Sequence, residues 1–292
     1  MTEQNLIKKI QQEFPQIKWK KYRYLTHGWD HDVIIFDGKL VFRIPKEKAK
    51  DLQSQLFNET QILKYLKNKL LVGLPDYQFI AKDKTFAGYP LLLGQELSPA
   101  KFKHLTIKEK HEFTKQLANF LTILHQTSKN IVNKYQVRTV NDQKNYTRLI
   151  ANTEKFVFPK LKENEIKQIR NYLVEFKNSF KHSNVFIHND LCWEHILWDK
   201  KEQKINIIDF SDQAWADPAG DFTGLWEYGD DFVKKVYKLY GGKKDNKFLY
   251  RSKLYYQQTP LFIMKDALCG CPCTFEQGYK MFKKRFKNLT IK

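Results

Sequence analysis

The feature that most constrains this chain is a pair of short apolar runs, each followed by an acidic residue, within residues 185–221. The first run leads into His188-Asn189-Asp190, and the second, residues 205–208, leads into Asp209. Short apolar runs bounded by polar residues are typical of buried strands. The pattern therefore predicts two strands that hold two carboxylates, together with the imidazole of His195, at the mouth of one sheet.

The spacing within this stretch resembles the catalytic segment of protein kinases and of their small-molecule relatives. In that pattern a His-x-Asp motif, a metal ligand five positions after the Asp and a strand-borne Asp assemble a site for phosphoryl transfer. Here the two segments read H-N-D-L-C-W-E-H and I-I-D-F-S. The closest likeness is to the aminoglycoside phosphotransferases, specifically the 2″-phosphotransferases, where His can stand at the position usually held by Asn. An ordinary hairpin with an acidic turn is the alternative for one motif alone.

The resemblance implies a role for each of these groups. Asp190 is expected to accept or orient the proton of the attacking hydroxyl, while His195 and Asp209 hold Mg²⁺ against the nucleotide phosphates. Imidazole is a softer ligand than the oxygens that Mg²⁺ usually takes, so direct contact of His195 with phosphate stays open. ATP or GTP is the expected phosphoryl donor. Asp221, or alternatively Asp217, is expected to tie down the backbone of the catalytic loop.

The first ninety residues predict an antiparallel sheet. Asp37-Gly38 lies between two apolar runs and is the strongest short-range hairpin signal in the sequence. The predicted elements are a helix over residues 5–14, strands over residues 19–25, 33–36, 40–44, 77–82 and 86–93, and a helix over residues 53–66.

By the same resemblance these elements form a nucleotide-binding lobe. Gly28, in the loop of residues 26–32, is expected to cover the phosphates, although a lone Gly in a hairpin loop is as often just a turn. Arg43 stands where the kinase pattern has its phosphate-pairing Lys, and Glu59 on the following helix is expected to fix it. Whether Arg43 replaces that Lys in function stays open, since an exposed strand-end Arg and a solvent-facing Glu are the alternatives.

The resemblance also predicts where the purine base of the nucleotide binds. Leu91, Leu92 and Leu93 are expected to form the hinge, whose backbone amide and carbonyl groups bind the purine edge, and Ile208 is expected to contact the nucleotide as well. The side chains of a hinge say little about ATP against GTP.

Helical spacing dominates the rest of the chain. The predicted helices cover residues 107–125, 145–158, 165–180, 222–228, 232–240, 250–264 and 275–286. His125 is expected to be a helix-terminal or core histidine. The fold class is therefore α+β. The resemblance implies a bilobed protein-kinase-like fold, with an N-terminal antiparallel sheet lobe containing one key helix, residues 1–93, and a larger, mainly helical C-terminal lobe, residues 94–292.

Charge narrows the range of partners. The formal net charge of +19 favours nucleic acid in principle, because basic surfaces release counterions on binding. The lysines are nevertheless spread along the chain without an arginine-rich run or a DNA-reading motif, so no nucleic-acid partner is expected. Residues 205–233, in contrast, contain seven acidic residues and no Lys or Arg.

Aminoglycosides are polycations, so the resemblance implies an acceptor pocket lined by carboxylates. The expected acceptor-binding residues are Asp190, Asp212, Glu227, Asp230 and Asp231. A solvated helix end is the alternative for residues 227–231, since charge runs usually are solvated. The predicted function is phosphorylation of an aminoglycoside hydroxyl, which gives antibiotic resistance. A kinase of a macrolide, choline or homoserine-like acceptor, or a nucleotide-binding pseudokinase, is the alternative.

The remaining expectations concern compartment and thiols. No apolar stretch reaches the length of a membrane span, and charged residues interrupt the first twenty positions, so a cytoplasmic protein without a membrane partner is expected. The protein is also expected to be a monomer. Cys269, Cys271 and Cys273 do not have the usual paired zinc spacing and are expected to be reduced loop thiols, with a zinc site or redox pair as the alternative.

Overall fold

A five-stranded antiparallel sheet forms the N-terminal part of the computed structural model, which describes residues 2–26, 28–46 and 50–287, with the backbone alone for residues 50 and 51. The strands are β1 (Tyr22–Leu25), β2 (His31–Phe36), β3 (Leu40–Pro45), β4 (Phe79–Ile80) and β5 (Ala87–Pro90). Their spatial order is β1-β2-β3-β5-β4, so β3 lies at the centre. The two last strands are shorter than predicted, and β5 ends at Pro90, which has no N–H to continue the ladder.

The hairpin between β2 and β3 forms at the predicted turn. Asp37 and Gly38 have φ angles of 49° and 66°, and Phe36 pairs with Leu40. A two-residue loop with both φ angles positive matches the twist of the flanking strands, and Asp-Gly is a preferred sequence for it. The predicted hairpin is confirmed.

Two helices accompany this sheet. Helix α1 (Glu3–Glu13) is capped by Thr2, whose side chain accepts from the backbone N–H of Asn5, and its buried face packs with the aromatic core of the sheet. Helix α2 (Lys50–Leu66) packs beside β3 and β5, and its last turns join the main core of the C-terminal part.

The C-terminal part is mainly helical. Its helices are α3 (Pro99–Lys103), α4 (Ile107–His125), α5 (Lys129–Lys134), α6 (Asp142–Asn152), α7 (Glu163–Lys177), α8 (Asp230–Leu239), α9 (Phe248–Leu268) and α10 (Phe275–Phe286). Capping boxes at Thr106 and Thr274 start α4 and α10 at the predicted positions. The helix predicted over residues 222–228 is wrong, because Pro218–Phe222 and Gly224–Tyr228 form two 3-10 turns instead.

The C-terminal part also contains short strands, two of which lead into the loops that hold Asp190 and Asp209. They are β6 (Gln95–Glu96), β7 (Val185–Ile187), β8 (Ile196–Asp199), β9 (Lys204–Ile207) and β10 (Ala214–Ala216). The prediction that both acid-bearing strands belong to one sheet is wrong, since β7 pairs with β10 whereas β9 pairs with β8. The reason is local, because β8 and β9 form a hairpin of their own between the two acids.

The fold class predicted from the sequence, a sheet followed by a larger helical part, is confirmed. The boundary at residue 93 stays a prediction. Among the described residues, no helix combines the length and the apolar character that crossing a membrane requires.

Candidate active site

A buried arginine connects the N-terminal sheet to the segment after β9. Arg43, with 6% of its side chain exposed, donates to Glu59 Oε1 at 2.7 Å and to Asp209 Oδ1 at 2.8 Å. Tyr77 donates to the same oxygen of Glu59 at 2.9 Å. A planar guanidinium fork can hold two carboxylates at once, which an ammonium does less well. The predicted pair of Arg43 and Glu59 is present, and Asp209 extends it across 166 positions of sequence.

The loop after β7 is held by a buried carboxylate. Asp221 accepts from the backbone N–H of His188 at 2.9 Å and of Asn189 at 2.7 Å, and His125 Nε2 lies 3.0 Å from it. Asn189 has a φ of 68°, a left-handed conformation that Asn adopts more readily than most residues. Asp221 therefore has the loop-anchoring contacts predicted for it, and His125 is the predicted core histidine behind it.

His188 joins this loop to the end of β9. Its Nδ1 accepts from the backbone N–H of Asp190 at 3.3 Å, so its Nε2 donates to the carbonyl of Ile208 at 3.0 Å. Burial lowers the pKa of His188, which keeps the ring neutral for these two bonds. Ile208 in turn donates its N–H to the carbonyl of His195 at 3.1 Å, and Asp209 follows with a φ of 62°. The two acid-bearing segments are thus joined directly although they lie in different sheets.

His195 lies between the two carboxylates. Its Nδ1 is 2.7 Å from the carbonyl oxygen of Asp190 and 3.3 Å from Asp190 Oδ2, while its Nε2 is 3.7 Å from Asp209 Oδ2. Burial opposes the charged imidazolium. A hydrogen bond with Cys192 and the charges of Asp190 and Asp209 outweigh that cost and raise the pKa of His195 to about 11. Residues 190, 195 and 209 therefore converge in one cluster.

The two carboxylates of this cluster differ in acid strength. Desolvation raises the pKa of Asp190 to about 7, with His195 opposing and the nearby charges of Asp212 and Asp209 adding to the rise. Burial also disfavours ionised Asp209, but Arg43 and His195 outweigh it and hold the pKa of that carboxyl well below its usual range. A carboxyl that titrates near neutral pH suits proton transfer, whereas one that stays ionised suits cation binding.

The free side of Asp209 fits a divalent cation. Its Oδ1 accepts from Arg43 and, at 2.5 Å, from Ser211 Oγ, which leaves Oδ2 facing His195 Nε2. One carboxylate oxygen and one imidazole nitrogen leave the other positions to phosphate oxygens and water, the usual surroundings of Mg²⁺. The donor set thus fits the two ligands predicted for the ion, and a cation there would replace the Nε2 proton.

The segment after β5 offers backbone groups suited to a purine edge. Leu91 donates its N–H to the carbonyl of Lys39 at 2.7 Å, and the carbonyl of Leu93 accepts from Asn206 Nδ2 at 2.7 Å. These bonds fix both ends of the segment, and within the described residues the backbone of Leu92 has no hydrogen bond. Nucleotide binding by residues 91–93 and by Ile208 stays a prediction.

Lys46 closes the loop between β1 and β2. Its ammonium donates to the carbonyl of Thr26 at 2.8 Å and to the carbonyl of Gly28. A Cβ on Gly28 would lie 2.5 Å from the carbonyl oxygen of His31, so this close approach requires glycine. His27, within the same loop, lies outside the described residues. The role of Gly28 as a phosphate cover stays a prediction.

Glu227, one of the predicted acceptor ligands, is already paired. It accepts from Arg285 at 2.7 Å and from Lys284 at 2.9 Å, both on α10, and from the hydroxyl of Tyr256 at 2.9 Å. Burial opposes its ionisation, but these donors outweigh burial and lower its pKa. The carboxylate is therefore neutralised within the protein.

The other predicted acceptor ligands lie in two places. Asp230 and Asp231 form the first turn of α8, where carboxylates stabilise a helix, and Asp230 Oδ1 is 3.6 Å from Lys253 Nζ. Asp212 lies beside the loop after β7, since its carbonyl accepts from Asn189 at 3.1 Å, and its half-exposed carboxylate pairs with Arg138 at 2.7 Å. Acceptor binding by these three residues, by Glu227 and by Asp190 stays a prediction.

Three supporting residues were not predicted from the sequence. Tyr77 and Ser211 orient Glu59 and Asp209, and nothing in their spacing indicated it. Gly224 packs so closely on the loop after β7 that a Cβ would lie 2.2 Å from the carbonyl oxygen of Leu191. A glycine inside a segment with helical spacing was the signal that could have found it.

The chain is similar to known phosphotransferases in its family match and in its fold. The model of a family described as the phosphotransferase enzyme family matches residues 21–250. The GDP and kanamycin complex of APH(2″)-IIIa superposes with a TM-score of 0.88 at 24% identity, covering 98% of this chain and 100% of that one. The streptomycin–ATP complex of APH(2″)-IIa gives 0.70 at 20% identity, covering 95% of each chain.

A macrolide phosphotransferase shares the fold as well. The macrolide 2′-phosphotransferase MphH of Brachybacterium faecium gives a TM-score of 0.64 at 17% identity, covering 93% of this chain and 94% of that one. The kinase-like fold predicted from the sequence is confirmed by these matches.

Proposed function

Because the chain belongs to the phosphotransferase enzyme family, we propose that it transfers the terminal phosphoryl group of ATP or GTP to a hydroxyl of an aminoglycoside. The observation that carries the proposal is the position of His195, which lies 3.3 Å from Asp190 and 3.7 Å from Asp209. His195 brings Asp190, which titrates near neutral pH, close to Asp209, which stays ionised. This arrangement suits in-line phosphoryl transfer, in which positioning and charge do most of the work.

Asp190 acts on the acceptor in this proposal. Its carboxylate accepts the hydroxyl proton as the hydroxyl oxygen attacks the terminal phosphorus. The bond from that phosphorus to the bridging oxygen breaks, and the nucleoside diphosphate leaves with the electron pair. A base with a pKa of about 7 is well matched to this task near neutral pH.

Arg43, Glu59, His195 and Asp209 act on the donor. Mg²⁺, held by His195 and Asp209, would supply positive charge to the phosphate oxygens. Glu59 holds one nitrogen of the Arg43 guanidinium at 2.7 Å. The other terminal nitrogen of Arg43 can therefore remain with Asp209 or turn to a phosphate oxygen. Residues 91–93 and Ile208 bind the base, and Gly28 lies over the phosphates.

The acceptor is argued from likeness and charge. APH(2″)-IIIa, seen with kanamycin, is more similar to this chain in fold than the macrolide phosphotransferase is. Asp212 adds a half-exposed carboxylate next to the catalytic loop, where an ammonium group of an aminoglycoside would find an opposite charge. A cytoplasmic monomer stays the expected form of the protein.

A panel of acceptors tests the proposal. Purified protein with Mg²⁺ is supplied with ATP or GTP and with aminoglycosides, macrolides, choline or homoserine, while nucleotide consumption and product mass are measured. We expect aminoglycoside-dependent consumption and a product that carries one phosphoryl group. Turnover with another acceptor class alone would contradict the proposed acceptor. Nucleotide binding without turnover in any mixture would favour a pseudokinase. Asp190→Asn protein, prepared identically, controls for contaminating kinases.

A further inference from the structure

Cys192 lies in the catalytic loop and has no part in the proposed reaction. It is partly buried, and its Sγ is 3.5 Å from His195 Nδ1 and 3.6 Å from Oε2 of the exposed Glu194. Asp190, Cys192 and His195 can each offer a ligand atom, and these atoms all lie within 4.8 Å of one another. A thiolate, an imidazole and a carboxylate form a donor set unlike that of a magnesium site.

The local backbone brings these groups together. Cys192 is the residue before the 3-10 turn Trp193–His195, and the backbone N–H of His195 donates to the carbonyl of Cys192 at 3.1 Å. In a 3-10 turn, side chains three positions apart lie on the same side. Cys192 and His195 therefore face each other because of the turn.

The distances match those of a zinc site. Ligand atoms about 2.3 Å (sulfur) and about 2.0–2.1 Å (nitrogen, oxygen) from a tetrahedral Zn²⁺ lie about 3.3–3.6 Å apart. Here the separation is 3.5 Å from Cys192 Sγ to His195 Nδ1 and 3.3 Å from His195 Nδ1 to Asp190 Oδ2. Both measured distances agree with this geometry, and Glu194 or water can fill a fourth position.

The two nitrogens of His195 separate this site from the magnesium site. Nε2 faces Asp209, whereas Nδ1 is hydrogen-bonded to the carbonyl oxygen of Asp190 at 2.7 Å and also lies beside Cys192 Sγ and the carboxylate of Asp190. Mg²⁺ prefers oxygen ligands, whereas Zn²⁺ and Cd²⁺ bind sulfur and nitrogen well. We propose that the loop of Asp190, Cys192 and His195 binds one thiophilic divalent cation, such as Zn²⁺, and that this cation inhibits phosphoryl transfer.

Chemically, the cation forms bonds to Sγ, Nδ1 and Oδ2. The hydrogen bond between Nδ1 and the carbonyl oxygen of Asp190 is broken, and the protons of the thiol and of Nδ1 pass to the solvent. Asp190 is then unable to accept a proton from the acceptor. The inhibition rests on the proposed function, whereas the binding does not.

Metal binding is tested on the full-length reduced protein with Co²⁺ and Zn²⁺. Cobalt reports thiolate ligation by its charge-transfer absorption, and Zn²⁺ affinity is measured against a chromophoric chelator. The reference protein carries Ser in place of Cys269, Cys271 and Cys273, which removes the other thiols. We expect it to keep one site with the thiolate band. Adding Cys192→Ser or Cys192→Ala should remove the band and weaken Zn²⁺ binding by about 10- to 100-fold or more.

Two outcomes would overturn the site. One is a reference protein that binds no cation, and the other is a thiolate band that survives loss of Cys192. Inhibition is measured separately, as the Zn²⁺ concentration that halves turnover at fixed Mg²⁺-nucleotide, and Cys192→Ser should resist about tenfold more Zn²⁺. Binding without inhibition would overturn the inhibitory role. Absence of turnover in the metal-free protein would instead contradict the proposed function, and the cobalt experiment would be unaffected.

Discussion

Two groups of carboxylates in the C-terminal part of the chain have opposite surroundings. The candidate-site carboxylates, Asp190 and Asp209, share His195, and Asp209 also accepts from buried Arg43. The outer carboxylates are Glu227, Asp230 and Asp231, of which Glu227 is paired with two cations of α10 and the other two begin α8.

This difference shows that an acidic residue in an acidic segment of sequence is not necessarily free to bind a cationic ligand. Residues 205–233 contain no basic residue, yet Arg43, Arg251 and Arg285 reach into this segment from elsewhere in the chain. An acidic segment in a basic chain can therefore be neutralised by distant residues. Carboxylate chemistry is expected where the pairing leaves an oxygen free, as it does at Asp209 Oδ2.

The largest expected effect is at Asp190. Asp190→Asn should lower kcat by about 10²- to 10⁴-fold, because the acceptor hydroxyl loses its base, while nucleotide affinity is retained. Steady-state kinetics and a nucleotide-binding titration measure the two quantities. Asp231→Asn, the same change in an outer carboxylate, should leave kcat nearly unchanged. Comparable kcat values for the two variants would remove the distinction between the groups.

The two groups of carboxylates should also differ in how much their ion pairs contribute to the free energy of unfolding. Glu59→Gln leaves the buried guanidinium of Arg43 with one charged partner fewer, and breaking a buried pair costs about 3–5 kcal/mol. Urea unfolding measures the loss, and nucleotide affinity should fall with it. The matched change Glu227→Gln removes a pair with Lys284, whose side chain is 67% exposed, and with Arg285. Equal losses would show that burial of the Arg43 pair is unimportant.

A pH effect on stability is expected from His182, which lies beside Asp217. Asp217 pairs with Arg251 at 2.6 Å, and His182 Nε2 lies 3.8 Å from Asp217 and 3.1 Å from Asp142. Burial opposes protonation of His182, but Asp142 and Asp217 outweigh it and raise the pKa above 6.5.

Because the folded pKa of His182 is the higher one, the folded state holds the proton more tightly. The stabilisation is complete below pH 6.5, the unfolded value, and is lost as the pH rises through the folded pKa. The free energy of unfolding, measured by urea titration at successive pH values, should decline over that range. His182→Gln should remove that decline, and an unchanged decline in the variant would assign it to another group.

The smallest expected effect on acceptor binding is at Glu227 itself. Glu227→Gln should leave the acceptor KM nearly unchanged, because the carboxylate is already paired with Arg285 and Lys284. The free energy of unfolding should fall by less than it does in Glu59→Gln, because one of these two partners, Lys284, is 67% exposed. Asp212→Asn should instead raise the acceptor KM by about fivefold, the effect of one partly screened charge. A larger KM effect at Glu227 than at Asp212 would indicate that the outer carboxylates bind the acceptor.

Much of this site could be predicted from the sequence because its motifs are local. His188, Asp190 and His195 lie within eight residues of each other, and Asp209 follows a recognisable strand. The Asp37-Gly38 turn likewise specifies its hairpin by its own chemistry. Such features need only backbone preferences and spacing.

The features that could not be predicted from the sequence depend on contacts between distant segments of the chain. The pairing of β7 with β10 rather than with β9 follows from the intervening hairpin, and the neutralisation of Glu227 depends on α10, 57 positions later. The restriction on Gly224 arises from the loop that packs against it. Periodicity describes which face of an element is buried, but not which neighbour covers it.

The central claim is that Asp190, His195 and Asp209 form one phosphoryl-transfer site. A crystal structure with Mn²⁺ and a non-hydrolysable nucleotide, with the ion located by anomalous scattering, tests it most directly. We expect the anomalous peak at Asp209 Oδ2 and His195 Nε2, with the terminal phosphate directed towards Asp190. A nucleotide-bound ion away from these two atoms, or a terminal phosphate on the far side of the molecule from Asp190, would contradict the claim.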